Sequence, residues 1–381
     1  MKLATLIFKL MVMFQPLLLF AMVFNITIVV RLISWFILVG SFIQLMSVLR
    51  YRNTIIKSNF SLAAIIILIA FISLFLGGLS YAGFIEYLKF VSMISIWIIY
   101  PYIKINKLNN VFKISFLIQA ILLILFSQQS FAYEYVDDGV TRISESLTLG
   151  FNNPNLTSMI VFYVLVAIFS FQLGANSFLI KTFYAILLMF LYYLIVKTDC
   201  RTTLFMSALL AFSFLLMNKT QFIGILVKKK IITIVTLALP MLYCVLYVYL
   251  SHLPALENVE FMGKPVFSGR QYLYVDLFSS LSENPILGLC AKYKFANAHN
   301  GMLTILLNTG FVGLFFYLAY IYKNLRVISK GIVHPDEVFH FIAIIAIFVN
   351  SCNEASILVS ANLFYVYFMY LLVITRHNDI K

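Results

Sequence analysis

Charge is scarce throughout this chain. Only 11% of its residues are charged, whereas 63% are hydrophobic and the mean hydropathy is +1.00. A soluble fold of 381 residues needs a polar surface and could not bury so many apolar side chains in its core. The composition therefore excludes a soluble protein and predicts a polytopic membrane protein.

Patterns typical of metal binding and of secretion are also lacking. The adjacent acids Asp137 and Asp138 have no histidine or third carboxylate close in sequence. The N-terminal apolar run has no small-residue cleavage site and continues into a second apolar run, so no cleavable signal is predicted. The cysteines, which show no metal-ligand spacing, are Cys200, Cys244, Cys290 and Cys352. We therefore predict no metal and no other cofactor.

Long apolar runs are what the chain has in abundance. About 20 residues cross a hydrocarbon layer of about 30 Å, and runs of this length follow one another along the sequence. We predict an all-α integral membrane protein with about 12 transmembrane helices, in a single polytopic domain over residues 1–381. The predicted spans are 4–24, 27–49, 60–80, 84–103, 111–132, 156–173, 177–197, 202–218, 231–251, 301–322, 338–354 and 357–375. Polar residues interrupt the long stretches 4–49 and 338–375 only weakly, at 25–31 and 350–356.

Basic residues predict the orientation, because Lys and Arg near helix ends are retained in the cytoplasm. With both termini inside, most of the 27 basic residues lie on the cytoplasmic side and most of the 14 acidic residues lie outside. The net charge of +13 then reflects topology and attraction to anionic lipid headgroups. We predict no nucleic-acid partner.

Two connections are long enough to build a site, and both are predicted on the outer face. They are the first external loop, residues 133–155, and the larger second external loop, residues 252–300. The cytoplasmic connections are too short for a nucleotide-binding domain and carry no glycine-rich phosphate loop, which argues against nucleotide-driven chemistry there. Function concentrates on loops held by a rigid scaffold, so the outer face is favoured.

The first external loop carries Arg142 and an Asn-Pro turn at Asn153 and Pro154. We expect Asn155 or Thr157 to cap the helix that follows. Because helix N-termini bind anions, this loop could present a guanidinium and a helix dipole to a phosphate-bearing ligand. The alternative is a loop whose single arginine rests on lipid headgroups.

Arg201 stands in a short polar stretch, residues 198–203 (TDCRTT), at the end of the seventh predicted span. Pairing with Asp199 would make both residues structural. If Arg201 faces a cavity instead, its guanidinium suits a bidentate contact to phosphate that lysine cannot match. The sequence leaves both interpretations open.

The second external loop gathers charge between two apolar spans, where charge is costly and often functional. It contains Arg270 and Glu283, and it ends with His299 and Asn300 just before an apolar helix. The ordinary pKa of histidine lies near neutrality, so His299 could take a proton from an attacking hydroxyl. A lone histidine at a helix entry is otherwise a cap or interface residue, but three external arginines favour function.

In their order, spacing and side of the membrane, these motifs resemble the superfamily of O-antigen polymerases and O-antigen ligases, which assemble bacterial surface polysaccharides. The resemblance covers about residues 142–320 in motif and the whole chain in topology. The motifs are Arg142 with 150–155 (GFNNPN), 199–202 (DCRT), 268–270 (SGR) with 283–288 (ENPILG), and His299 and Asn300 before the helix that carries Gly310.

The spacing departs from that of the polymerases in the superfamily. Arg142 precedes Gly150 closely, and Arg270 stands further from Gly288. The resemblance therefore leaves the division of roles among the three arginines open.

The resemblance implies a GT-C-like architecture and a metal-independent glycosyltransferase. Such a polymerase joins polyprenyl-pyrophosphate-linked repeat units into O-antigen or capsular polysaccharide on the outer face of the bacterial cytoplasmic (inner) membrane. It implies that Arg201 and Arg270 hold the pyrophosphate and that His299 orients or deprotonates the acceptor hydroxyl. The residues expected to bind substrate are Arg142, Asn153, Pro154, Asn155, Asn300 and Glu283. The implied partners are lipid-linked oligosaccharides, the bilayer, and a chain-length regulator and flippase of the same pathway.

Two other functions stay open at this stage. An O-antigen ligase uses the same donor but transfers the glycan to a lipid-anchored core. A flippase for lipid-linked oligosaccharides fits twelve spans with both ends inside, which is a common transporter plan. Transporters usually show two related halves and broken or charged helices near the membrane midplane, and the sequence displays neither.

Overall fold

The computed structural model describes most of the chain. The described residues are 2–50, 54–103, 109–127, 133–137, 140–144, 147–149, 154–215, 228–256, 259–261, 264–267, 269–289, 298–332, 334–353 and 362–375. The predicted site residue Asn153 lies outside them, as do Gly150, Ser268 and Cys290.

Helices dominate the described residues. The α-helices are α1 (Lys2–Val23), α2 (Thr27–Leu49), α3 (Thr54–Leu76), α4 (Tyr81–Ile99), α5 (Asn109–Leu125), α6 (Pro154–Leu173), α7 (Phe178–Lys197), α8 (Arg201–Leu215), α9 (Lys230–Ser251), α10 (Arg270–Leu281), α11 (Gly301–Gly331), α12 (Pro335–Asn350) and α13 (Asn362–Thr375). Short 3₁₀ turns occupy Tyr100–Tyr102 and Pro254–Leu256. Two antiparallel hairpins, which the sequence did not predict, pair β1 (Tyr133–Asp137) with β2 (Val140–Ser144) and β3 (Glu260–Phe261) with β4 (Lys264–Pro265).

Many of these helices are suited to a membrane. Within the described residues, eight are long and apolar enough to cross it: α1, α2, α3, α4, α6, α7, α9 and α11. α5, α8 and α13 are apolar but shorter, and α12 has 16 residues. The chain is therefore an α-helical, multi-pass membrane protein. The predicted count of twelve spans stays a prediction, because the shorter helices fall below the usual crossing length.

The interior of the bundle is built around α6, α12 and α13. Nearly all of α6 from Thr157 to Phe169 is buried, and so is α13 from Phe364 onward. Large apolar side chains on the outer faces of α2, α7 and α9 are exposed instead, as expected where helices contact lipid.

Polar side chains link helices inside this apolar interior. The Tyr365 hydroxyl of α13 donates to the Gln44 side chain of α2 at 2.9 Å, and the Gln44 amide donates to the Ala4 carbonyl of α1 at 2.8 Å. Hydrocarbon offers no competing partner, so such bonds fix how the helices pack.

Basic residues meet at one end of the bundle. The Arg326 guanidinium near the C-terminus of α11 donates to the Lys228 carbonyl just before α9 at 2.6 Å. Lys229, Lys230 and Lys330 lie at the same two helix ends. With both termini inside, the connections after the eighth and tenth predicted spans, which carry these residues, face the cytoplasm.

The second external loop contains secondary structure that the sequence analysis did not predict. Residues 252–300 contain the 12-residue helix α10 and the β3–β4 hairpin. The span predicted at 301–322 is also wrong in extent, because α11 runs over 31 residues and is broken at Gly310 (φ 65°, ψ −173°). Residues 301–310 are buried throughout, and the 21 residues from Phe311 onward are long enough to cross the membrane.

The turn at residues 284–289 fills the break in α11. The Phe311 amide donates to the Pro285 carbonyl at 2.9 Å, and the Leu289 amide donates to the Leu307 carbonyl at 2.5 Å. These bonds satisfy backbone groups on both sides of the break, which would otherwise lack partners in an apolar surrounding. The turn at residues 284–289 and the helix that carries Gly310, separated in sequence, therefore form one structural unit.

Candidate functional site

Four helices begin close together at the end of the bundle opposite Lys228. The Ser158 and Thr203 hydroxyls, in the first turns of α6 and α8, are hydrogen-bonded at 2.9 Å. The starts of α8, α10 and α11 each bond to the turn at residues 351–353, which follows α12. The starts of α6, α8, α10 and α11, together with the 351–353 turn, form the site cluster.

Asn353 is the junction between two of these helices. The Arg270 guanidinium, at the first position of α10, donates from Nη1 to Asn353 Oδ1 at 2.7 Å. Asn353 in turn donates from Nδ2 to the Thr202 hydroxyl at 2.9 Å. Since Arg201 is the neighbour of Thr202 and begins α8, the chain brings the starts of both arginine-bearing helices to one side chain.

Asn300 attaches α11 to the same turn. Its Oδ1 accepts from the Leu303 amide at 3.0 Å and caps the helix. Its Nδ2 donates to the Cys352 carbonyl at 3.0 Å and to the Pro240 carbonyl of α9 at 2.8 Å. The Gly301 amide also donates to the Ser351 carbonyl at 2.7 Å. This network holds the residue before the cap, His299, at a set place beside the turn.

The contact to Pro240 shows that the site cluster lies below the end of α9. Pro240 is near the middle of α9, and about 16 Å of helix continue from there to Ser251. Tyr243 and Tyr247 on these last turns lie close enough to Arg270 or Tyr274 of α10 for electrostatic or ring contact. The outer half of α9 and α10 thus form an aromatic wall on one side of the cluster.

A fully buried polar layer supports the cluster. Thr203 contacts Ser158, Met159 and the Cys200 thiol, and Asn350 donates to the Met159 sulfur at 2.6 Å. The α6, α8 and α12 helices are thereby joined immediately beneath Thr202 and Asn353. These contacts between helices support the site cluster from beneath.

Arginine at the start of a helix runs against simple electrostatics. The N-terminus carries a partial positive charge, so a cation there is unfavourable by several tenths of a kcal/mol or more. Arg201 and Arg270 nevertheless occupy the first positions of α8 and α10. An arrangement that breaks a local rule twice in one place is typical of a functional site, and here it suits an anion.

Of the four described residues that have a side chain and a positive φ, three precede helices of the site cluster. They are Leu149 (46°) before α6, Asp199 (55°) before α8 and His299 (49°) before α11, whereas Asn25 (53°) precedes α2. Such conformations cost about 1–3 kcal/mol for a residue with a side chain and cluster at active sites. At the left-handed turn, His299 is exposed while its neighbours Ala298 and Asn300 are buried.

His299 is poised to be neutral at physiological pH. The surrounding protein withholds part of the ring's hydration, and the positive charge of Arg270 lies nearby; both effects lower the pKa of His299. Burial has the opposite effect on the neighbouring acids, raising the pKa of the Cys352 thiol to about 12 and that of the Tyr274 hydroxyl further. Of these three groups, His299 is the one that can accept a proton near pH 7.

The predicted catalytic residues lie on elements of the site cluster, because the structure brings Arg270, His299 and the start of α8, with Arg201, to it.

The predicted substrate-binding residues are divided. Pro154 and Asn155 begin α6 and Asn300 caps α11, so these three belong to the cluster. Glu283 is exposed beyond the far end of α10, a helix about 18 Å long, and so is not beside Arg270. Arg142 lies on β2 opposite Tyr135, and its side chain is outside the described part of the structure.

Two expectations for individual residues need correction. α6 begins at Pro154, so neither Asn155 nor Thr157 is its cap; the Thr157 hydroxyl instead donates to the Thr148 carbonyl at 2.6 Å. Asn300 is fully buried and both hydrogens of its amide bind carbonyls, so its geometry supports a structural part rather than contact with substrate.

Asn353 and Thr202 were not among the predicted site residues. The signal for Asn353 is the polar interruption at residues 350–356, which the hydropathy pattern by itself marks only as a boundary between spans. A tetrad NSCN (350–353) within 38 largely apolar residues is unusual enough to point to a buried polar contact.

Within the described residues, no group of three His, Cys, Asp or Glu side chains could hold a metal ion. Comparison of the chain with family models, curated proteins and solved structures returns no significant match. The functional interpretation therefore depends on the geometry of the site cluster and on the motif resemblance.

Proposed function

We propose that the protein is a metal-independent polysaccharide polymerase of the outer face of the bacterial cytoplasmic membrane. It would join oligosaccharide repeat units carried on polyprenyl pyrophosphate into O-antigen or capsular polysaccharide. The observation that carries the proposal is the convergence of two helices that begin with arginine, α8 and α10, beside a histidine whose pKa is lowered.

Each part of the reaction has a candidate group. A hydroxyl oxygen of the acceptor glycan attacks C1 of the donor sugar and forms the new glycosidic bond. The bond between C1 and the pyrophosphate oxygen breaks, and its electron pair stays on the polyprenyl pyrophosphate. His299 accepts the hydroxyl proton, which a neutral imidazole can do, and later releases it to solvent.

The arginines act on the leaving group. Negative charge grows on the pyrophosphate as the C1–O bond breaks, so pre-placed cations and helix N-termini stabilise the transition state more than the ground state. Arg201 and Arg270 would bind the pyrophosphate from two directions. Because pyrophosphate is already a good leaving group from C1, the reaction needs no nucleotide on the outer face.

A flippase for the same lipid-linked oligosaccharide is the second candidate, since the break in α11 is a feature of many transporters. The break is filled by the turn at residues 284–289, whose carbonyls bond across it. Gly288 and Gly310 approach each other so closely that the turn and α11 pack without room for a side chain between them. This favours a fixed scaffold over a moving gate.

The first test is complementation of a strain that lacks this gene. Wild type should restore a ladder of surface glycan on gels, whereas His299→Ala should leave a single repeat unit. His252→Ala is the matched control, because His252 is exposed at the end of α9 and should restore the full ladder. Immunoblots must show equal amounts of each variant in the membrane.

Other outcomes contradict the proposal in recognisable ways. Long chains that remain on the lipid carrier in the deleted strain indicate a ligase. Repeat units trapped on the inner leaflet indicate a flippase. A normal ladder with His299→Ala means that His299 is not the base.

A further inference from the structure

Asn353 joins the two arginine-bearing helices, although nothing in the motif resemblance includes it. Its amide accepts from Arg270 and donates to Thr202, residues that lie 83 and 151 positions away in the chain. The side chain is half-buried, and its backbone amide donates to the Asn350 carbonyl at 2.9 Å. Asn353 is therefore held by α12 while it holds α8 and α10.

The chemistry of this partner matters because it carries no charge. An arginine that is partly buried usually pairs with a carboxylate, which fixes its position but neutralises it. Among the described residues, no carboxylate lies within ion-pair distance of Arg270, and the guanidinium is oriented by the Asn353 amide. Within the described residues, the guanidinium is thus held by a partner that carries no charge.

The bond from Arg270 sets the direction of the amide. A guanidinium can only donate, so it must face Oδ1, and Nδ2 is thereby turned towards the Thr202 hydroxyl. One hydrogen-bond chain then fixes the spacing between the start of α8 and the start of α10. A ligand with two phosphate groups could then contact both helix starts at once.

We infer that Asn353 is a positioning residue for Arg270, and that its neutrality keeps the Arg270 charge available for the pyrophosphate of the donor. The inference depends on the proposed function for the identity of the ligand. The role itself, in which a neutral side chain positions an arginine that binds an anion, can be tested by binding measurements without any polymerisation.

Asn353→Asp separates this role from a merely structural one. The aspartate has nearly the same shape, keeps the contact to Arg270 and strengthens it to an ion pair, so a structural role predicts little harm. The inferred role predicts that the charge of Arg270 is compensated and that pyrophosphate affinity falls about tenfold or more. Thr202→Val is the matched control, because it removes the bond to Asn353 Nδ2 and leaves the Arg270 charge uncompensated.

The direct measurement is the thermal stabilisation of each purified full-length variant by inorganic pyrophosphate in detergent. A ligand that binds the native state raises the unfolding temperature according to its Kd. We expect clear stabilisation of wild type, a smaller shift for Thr202→Val, and almost none for Asn353→Asp. Stabilisation of Asn353→Asp equal to that of wild type, or no stabilisation of wild type, would overturn the inference.

Steady-state polymerisation with a lipid-linked repeat unit supplies the second readout. Asn353→Asp should raise KM for the donor about tenfold or more and change kcat less. A fall in kcat alone with unchanged KM contradicts the inference. If wild type binds pyrophosphate but polymerises nothing, the proposed function fails while the role of Asn353 stands.

Discussion

At the scale of single residues, the site cluster departs from local rules in a consistent direction. Cations stand where helix dipoles disfavour them, and His299 takes a left-handed backbone conformation that few residues with a side chain adopt. Each departure costs stability, and each would be relieved or used when an anionic ligand and a hydroxyl occupy the cluster.

The lowered pKa of His299 gives a prediction for the dependence of activity on pH. As a base, His299 must be neutral, so kcat/KM should fall only at a pH below the ordinary histidine value of about 6.5. Arg270→Gln removes the nearby positive charge, which favours protonation and raises the pKa of His299. The acid limb of the residual activity should therefore move to higher pH.

Arg270→Lys is the control for that experiment, because it keeps the charge while it loses the fork geometry. Its activity should fall, but its acid limb should stay near that of wild type. An acid limb that is the same in Arg270→Gln and Arg270→Lys would show that Arg270 does not set the pKa of His299.

At the scale of elements, the broken helix α11 and the 284–289 turn depend on each other. A straight α11 would need no external partner at Gly310, but the break leaves amides and carbonyls that only the turn satisfies. Gly288 in the turn and Gly310 in α11 both have positive φ, and each lies against backbone atoms rather than flexible side chains. The unit also sets the start of α11, and hence the place of Asn300 and His299.

Gly310→Ala and Gly288→Ala should each destabilise the protein strongly. A Cβ at Gly310 would overlap the Ile286 carbonyl, and one at Gly288 would lie 2.5 Å from the Leu307 carbonyl. With the added cost of positive φ, we expect a loss of about 2–5 kcal/mol, seen as a lower apparent Tm in detergent. Gly174→Ala is the control, since its Cβ would meet the nearest atom at 3.8 Å. A Tm for Gly310→Ala equal to that of the control would mean that the break tolerates a side chain.

At the scale of the whole molecule, the two ends of the bundle differ in chemistry. One end gathers basic residues of α9 and α11 around Lys228, and the other holds the site cluster. Lys and Arg next to spans are retained in the cytoplasm, so this separation supports the predicted orientation. The donor pyrophosphate would then meet Arg201 and Arg270 on the outer face.

Labelling of introduced cysteines tests this orientation in intact cells. Glu283→Cys, at an exposed position beyond α10, should react with a membrane-impermeant maleimide, and Lys229→Cys should react only after permeabilisation. The background is Cys290→Ala, because Cys200, Cys244 and Cys352 are buried. The reverse labelling pattern would place the site cluster in the cytoplasm and exclude the proposed outer-face polymerase.

The sequence by itself determined the class of the molecule and the places of its helices. Hydropathy is a property of consecutive residues, so the apolar runs marked twelve segments, each of which overlaps a helix of the structure. The charged second loop was found for a similar reason, since charge beside apolar spans is visible locally. The motif resemblance indicated Arg201, Arg270 and His299, and the fold places the helix starts that carry them in the same region.

Only the tertiary structure decided how these residues are held. The bonds of Asn353 join it to residues that lie 83 and 151 positions away in the chain. The carbonyls of Pro285 and Ile286 accept hydrogen bonds from the amides of Phe311 and Val312, just after the break in α11. Neither relation leaves a periodic pattern, because each depends on one close approach between distant backbones. The same holds for Asn300, which was expected to bind substrate. Once the helices pack, both hydrogens of its amide donate to carbonyls of α9 and the 351–353 turn.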